Sequence, residues 1–564
     1  MHYAPQPEAV QSILFDVLGA EAQLAGLAPF AEADGELMRQ VLEEAGKFVG
    51  EAVAPLNAVG DSPGCQFAAG KVTTPPGFQD AYQAFWQAGW PALSASVDDG
   101  GQGLPGVLEC VLYEWLSAAN HGWTMAPGLL HGAYECIRHH ASAELKDRYA
   151  SKIATGEWLA TMCLTEPHAG SDLGLARTRG TPQADGSYRV SGTKIFISGG
   201  EHDLTDNIIH LVLGRLPDAP AGPKGLSLFL VPKFMPDGST NAAFCDRIEE
   251  KMGLHGSPTC VMRFDEATGW LIGEPGRGLN AMFVMMNAAR LHVALQGIGL
   301  LDAAWQKADA YARERRQMRA PGARKSAEAA DLIIEHPAVQ RILDTQRAWV
   351  DTSRVLAYRT GLELDIAKHH TDADRRAAAN RWCCLVTPVI KSICTHQAFH
   401  GASECLQVFG GHGYVKEWGI EQIVRDSRVA MIYEGTNEIQ AIDLLVRKVL
   451  PDGGAALNAL LDDLLADSAW TAPSASLVAN ANALRKSTAA LVAANGADAS
   501  KAYWVAGDFL RATGLVLLHW AAERLAAAGT YPGSGAGTPQ AFKAWVLPEL
   551  GMRLEVMAGP LSHR

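Results

Sequence analysis

A chain of 564 residues is too long for one compact core, so several domains are expected. With 48% hydrophobic and 19% charged residues the composition is that of a globular protein, which excludes disordered and fibrous classes. The balance of 61 acidic against 48 basic side chains, a formal charge of −13, argues against a duplex-binding protein or an anchor on anionic membranes.

Residues 1 to about 158 read as helical, with apolar residues recurring at three and four in stretches such as E-L-M-R-Q-V-L-E-E-A-G-K-F-V-G and Gly/Pro-rich breaks between them. From about 187 to 272 the texture changes to short β-rich runs (S-Y-R-V-S, T-K-I-F-I-S, I-I-H-L-V-L-G, L-S-L-F-L-V, C-V-M-R-F), the pattern of a small barrel or sandwich. Helical periodicity resumes at Gly278 and runs long over 278–316, 337–370, 372–409 and 435–450, which suits an up-and-down bundle. After P-D-G-G at 451–454 the chain is alanine-rich and helical to its end. The expected fold is therefore mainly α with a central β-domain. Its parts are an N-terminal helical domain (1–158), a β-domain (159–277), a helical bundle (278–450) and an appended helical domain (451–564). No apolar run approaches the roughly 20 residues of a bilayer span, and M-H-Y-A-P-Q-P-E-A-V has no basic segment leading into an apolar one, so a cytoplasmic protein without an integral membrane segment is expected. Ten cysteines, none in a C-x-x-C pair, fit reduced buried thiols, and no metal site is expected.

Four strings carry chemistry. In L-T-E-P-H-A-G-S-D (164–172), Pro167, Gly170 and Ser171 enforce a turn that suits a polar ring edge or a phosphate; a plain helix-to-strand connector is the other reading. In G-T-K-I-F-I-S-G-G (192–200), Phe196 and Ser198 share a strand face and could stack on and hydrogen-bond a planar heterocycle; a buried strand with a polar end is the alternative. Q-V-F-G-G-H-G-Y (407–414) closes a helix with glycines, either as a simple cap or for close backbone approach. In R-V-A-M-I-Y-E-G-T-N-E-I-Q (428–440), Glu434 follows an apolar run, where a carboxylate becomes a usable base; an N-terminal helix carboxylate is the alternative.

In this order and spacing, over about 280 residues, these strings together with Y-A-R-E-R resemble the acyl-CoA dehydrogenase family, and the resemblance covers roughly residues 30–450. G-G-E-H-D-L-T, G-L-H-G-S-P-T-C and the appended domain are most similar to the extended, 3-methylmercaptopropionyl-CoA dehydrogenase-type members. The resemblance implies an FAD enzyme that removes two hydrogens from the α and β carbons of an acyl-CoA thioester and passes electrons to an electron-transfer flavoprotein. It implies Glu434 as the base. Some members carry the base before a substrate-binding Arg on the long helix, but here Ala289 precedes Arg290, which leaves the role to Glu434. It implies flavin contacts from Leu164, Thr165, Gly170, Ser171, Phe196, Ser198, Thr436 and Glu438. Across a homodimer interface it implies contacts from Arg315, His336, Gln407 and Gly411. Substrate contacts fall on Ser171, Asn287, Arg290, Tyr433 and Gly435. M-R-A-P-G after the Arg315 region departs from the family pattern and is expected to form a surface insertion.

Three rivals share the implied fold. An acyl-CoA oxidase would pass electrons to oxygen. A nitroalkane oxidase would use Asp where Glu434 stands. An alkylation-response DNA-binding relative would carry a basic C-terminal domain, whereas 451–564 holds nine acidic and eight basic side chains, so no nucleic-acid partner is expected.

Overall fold

The computed structural model describes residues 2–529 and 537–562; the side chains of Val284, Asn287 and 560–562 are outside that description. The chain folds into two compact units. One comprises Met1–Lys47, Pro105–Ala118 and Val293–Arg564, the other Phe48–Leu104 and Ala119–His292.

The second unit is built around a seven-stranded sheet. Strand Leu159–Cys163 runs parallel to Ile208–Arg215, Arg179–Pro182 pairs antiparallel with Tyr188–Ser198, and Tyr188–Ser198 pairs with the long strand Thr259–Ile272. Leu226–Pro232 pairs with both Thr259–Ile272 and Ile208–Arg215, so the sheet closes on itself as a small barrel, with Ala243–Ile248 branching off. Closure leaves few unpaired edges and sequesters Val190, Ile197, Val212, Phe229, Val231, Cys260, Met262 and Phe264 as one core. The runs S-Y-R-V-S and T-K-I-F-I-S, separate on the sequence, are one strand interrupted by irregularities between Val190 and Gly192 and between Lys194 and Ile197. The N-terminal region is not wholly helical. Gln66–Ala68 and Lys71–Thr73 form a hairpin through Ala69 and Gly70, both at positive φ as a tight two-residue turn requires, and Val72 joins the barrel core.

The first unit is helical. The four long runs appear as Gly278–Glu314 (which begins in the other unit), Pro337–His369, Ala373–Phe409 and Asn437–Ile442, the last continuing to Val449. Helix Gly278–Glu314 is long and apolar enough to cross a bilayer, but 81% of its most apolar window is buried in protein, as in a core helix. Pro388 lies inside Ala373–Phe409 and cannot donate to the Cys384 carbonyl; the Lys448 ammonium takes that acceptor at 2.7 Å. Arg354, fully buried, joins the helices by donating to Glu114 at 2.7 Å and Asp302 at 2.8 Å. Tyr358 donates to Glu114 at 2.6 Å and Tyr3 to Asp302 at 3.0 Å, which ties the N-terminal segment to this cluster. Burial raises the Glu114 carboxyl above its usual range despite the Arg354 charge. The appended region is helical too, with Ala455–Leu465, Ala475–Asn495, Ser500–Ala528 and Glu549–Ser562 as its main helices.

Candidate active site

In the sheet unit the 164–172 string is a tight turn closed by reciprocal bonds between Glu166 and Ala169, both 3.0 Å. Leu164 is buried, Thr165 half-buried, and Gly170 and Ser171 are exposed. The turn is fastened to strand Tyr188–Ser198 twice: Ile195 N donates to the Thr165 carbonyl at 2.9 Å, and Lys194 Nζ donates to the Leu164 carbonyl at 2.9 Å and to Glu166 at 2.9 Å. Glu166 also accepts from the main-chain N–H groups of Arg177 and Thr178 and from the Thr178 hydroxyl. Burial alone would raise its carboxyl, but the Lys194 charge and these donors hold it down to about 2. The Lys194 ammonium is lowered from its ordinary value by burial, against the pull of Glu166.

Regular alternation would put Phe196 on the buried side with Lys194. The extra residue between Lys194 and Ile197 prevents that. Phe196 sits at φ +61° and is 61% exposed, while Ile197 turns into the core and Ser198 is half-buried. The availability of the ring thus comes from a bulge and a left-handed residue, not from the plain alternation expected from sequence. An exposed aromatic on strained backbone is costly unless used. Arg290 is buried on helix Gly278–Glu314, with Ala289 beside it half-buried; the Asn287 side chain is outside the described residues.

In the helical unit, Glu434 does not open a helix. It lies two residues before the N-cap of Asn437–Ile442, where Thr436 accepts from Ile439 N at 3.3 Å, and its own backbone is left-handed at φ +54°. Gly435 follows at φ +83°. The Glu434 side chain is half-buried. Tyr433 donates to Gln296 at 2.5 Å; burial, with the Glu434 charge added, pushes its phenol well up. Glu438 is exposed in the first turn of the helix. Gln407 and Gly411 are exposed at the end of Ala373–Phe409, and Gly410 caps that helix at φ +58°. The glycine the packing requires is Gly413, whose Cβ would come within 2.6 Å of the Leu406 carbonyl. Arg315 is exposed just after Gly278–Glu314; its carbonyl accepts from Ile333 N at 2.8 Å, and His336 Nε2 donates to the Gln317 carbonyl at 3.0 Å. Arg316 and Leu332 close the M-R-A-P-G stretch as a largely exposed loop, tied by Arg319 to Asp331 at 3.0 Å.

Sequence reading missed the side chains that hold these segments: Glu166 and Lys194 in one unit, and Lys391, Asn437 and Gln440 in the other. The available signal was a lone lysine within an apolar run, as in V-T-P-V-I-K-S-I-C and T-K-I-F-I.

Family models described as the N-terminal, middle and C-terminal domains of acyl-CoA dehydrogenase match residues 36–157, 161–267 and 276–449. The chain is 41% identical to 3-methylmercaptopropionyl-CoA dehydrogenase of Ruegeria pomeroyi over 91% of this chain and 89% of that protein. It is 35% identical to the broad-specificity linear acyl-CoA dehydrogenase FadE5 of Mycobacterium tuberculosis over 79% of this chain and 75% of that one. Among solved structures, Caenorhabditis elegans ACDH-11 in complex with C11-CoA superposes with a TM-score of 0.74 at 18% identity, covering 100% of this chain and 93% of that chain.

Proposed function

The chain belongs to the acyl-CoA dehydrogenase family of FAD-dependent oxidoreductases, and on that premise we propose that Glu434 is the base that takes the α-proton of an acyl-CoA thioester, yielding the trans-2-enoyl-CoA. The observation that carries the assignment is the left-handed Glu434-Gly435 turn, a strained conformation that presents a half-buried carboxylate outside any helix.

FAD, when bound, accepts the β-hydride. The residues present fit such a group. Phe196 offers an exposed aromatic face, Ser198 and Thr165 offer hydroxyls, and Gly170 and Ser171 leave an open polar turn in which a Cβ at Gly170 would meet nothing within 4 Å. Leu164, Thr436 and Glu438 complete the flavin set proposed here, and Ser171, Asn287, Arg290, Tyr433 and Gly435 the substrate set. A donor at the thioester carbonyl makes the α-proton removable, and the base's own main-chain N–H is assigned to that role.

The electron acceptor proposed is an electron-transfer flavoprotein. The assembly proposed is a homodimer in which Arg315, His336, Gln407 and Gly411 reach the partner's FAD. Exposed Tyr414 and Met318, 89% and 78% accessible beside those positions, support an interface there. Localisation in the cytoplasm and the four-part division at 158, 277 and 450 belong to the same reading. The names of the relatives favour 3-methylmercaptopropionyl and butyryl thioesters as first substrates.

The test is a panel of acyl-CoAs from about four to sixteen carbons, plus the methylthio-propionyl thioester, given to FAD-loaded protein with a dye acceptor and then in air. Bleaching of the flavin with enoyl-CoA formation, and little hydrogen peroxide, is expected. Protein that cannot be loaded with FAD, or that no acyl-CoA reduces, contradicts the reading; peroxide at the rate of turnover replaces dehydrogenase with oxidase.

A further inference from the structure

Lys391 is fully buried on helix Ala373–Phe409, in a stretch of that helix whose residues from Leu385 to Thr395 are all buried. A lysine so placed must give its charge to strong acceptors. Its ammonium donates to the Gly435 carbonyl at 2.8 Å and to Asn437 Oδ1 at 3.1 Å. Asn437 is held in turn by the Thr395 hydroxyl at 3.3 Å and by its own donation to the Ser392 carbonyl at 3.2 Å. Gln440, also fully buried, donates from Nε2 to the Glu434 carbonyl at 3.0 Å and to the Gly435 carbonyl at 3.3 Å. Both carbonyls of the left-handed pair are therefore seized by side chains of the helical unit.

A peptide unit is planar, so fixing its carbonyl fixes the whole plane. Anchoring the Glu434 and Gly435 carbonyls holds the two peptide planes that follow Glu434, which sets both dihedrals of Gly435 and fixes the Cα from which the Glu434 side chain leaves the turn. The left-handed conformation of a glutamate costs about 1–2 kcal/mol, so the turn relaxes when its anchors go. We infer that Lys391 and Gln440 are positioning residues for the Glu434 base: they touch neither proton nor substrate, and act by holding the turn that aims the carboxylate. This rests on the reading of Glu434 as the base.

The experiment separates the two. A 3-thia acyl-CoA has sulfur in place of the β-carbon, so no hydride can leave, and exchange of its α-hydrogens in D2O reports proton removal alone. FAD-loaded wild type, Glu434→Gln, Lys391→Met and the double variant are compared by NMR, with analogue affinity, FAD content and melting temperature measured in parallel. Lys391→Met is expected to slow exchange roughly 10²-fold, the usual penalty for a misplaced catalytic group, with FAD content retained and analogue affinity within about threefold. In the Glu434→Gln background, where exchange is already lost, Lys391→Met is expected to change nothing further. Wild-type exchange in Glu434→Gln overturns the base and the positioning role together. Loss in Glu434→Gln with wild-type exchange in folded Lys391→Met overturns only the positioning role. So does a loss in Lys391→Met that tracks loss of FAD or analogue binding. If Lys391→Met yields no folded FAD-loaded protein, Gln440→Met replaces it under the same criteria, and failure of both to fold assigns the pair to the core and overturns the inference.

Discussion

Lys194, in the unit that carries the sheet, and Lys391, in the helical unit, are both fully buried, and each ends on the main chain of a segment proposed to meet the reacting groups. They differ in what receives the charge. Lys194 meets the carboxylate of Glu166 at 2.9 Å, and the same carboxylate collects two main-chain N–H groups and a hydroxyl. Lys391 donates to a main-chain carbonyl and a side-chain amide. The first arrangement locks a turn to a strand; breaking it strands a charge. The second braces a strained turn by bonds to the Gly435 carbonyl and the Asn437 amide oxygen. The comparison teaches that one residue type fastens two segments, the turn at 164–166 and the left-handed Glu434-Gly435 turn, at different cost to stability.

The largest expected effect on stability is therefore at Lys194. Lys194→Met leaves Glu166 buried without its counter-charge and should cost about 3–5 kcal/mol, read as a fall in the denaturant midpoint; a loss under about 1 kcal/mol would erase the distinction. Lys391→Met should cost less, about 1.5–3 kcal/mol for hydrogen bonds from a charged donor, by the same measurement. If it costs more than Lys194→Met, the ranking of the two regions is wrong.

The ion pair also predicts a pH signature. The Glu166 carboxyl is held at about 2, below its ordinary 4.5, so its contribution is present above pH 4.5 and is lost as pH falls from there through 2. The stability gap between wild type and Glu166→Gln should be constant from pH 5 upward and shrink toward pH 2, as followed by acid titration of the denaturant midpoint. A gap unchanged at low pH would show that the pair does not set it. The smallest effect is expected at Phe196→Gly. Relief of the left-handed strain and the entropy glycine adds to the unfolded chain oppose each other, so stability should stay within about 1 kcal/mol of wild type, while FAD affinity of the apoprotein, followed by fluorescence titration, should fall. Unchanged affinity would remove Phe196 from the flavin set.

The long helices were legible because apolar spacing persists over more than thirty residues in runs such as Pro337–His369, and the barrel because β-rich runs cluster between turn residues. What escaped was decided by tertiary context. Arg179–Pro182, R-G-T-P, has neither length nor alternation, and becomes a strand only because Tyr188–Ser198 offers it an edge. The hairpin around Ala69-Gly70 is three residues a side, too short to stand out between helices. The chemical strings named the candidate residues, yet their geometry lay elsewhere: the bulge that exposes Phe196 and the positive φ of Glu434 have no marker in a non-glycine residue. The two lysines ran against the rule that lysine stays in water, and only their partners explain them.

The central claim is that Glu434 takes the α-proton. Glu434→Gln keeps the size of the side chain and the main chain on which the turn depends but cannot accept a proton. With FAD and an acyl-CoA that reduces the wild type, anaerobic stopped flow should show flavin reduction slowed by at least roughly 10²–10⁴-fold, at unchanged FAD content. Reduction of the Glu434→Gln flavin at the wild-type rate would contradict the account.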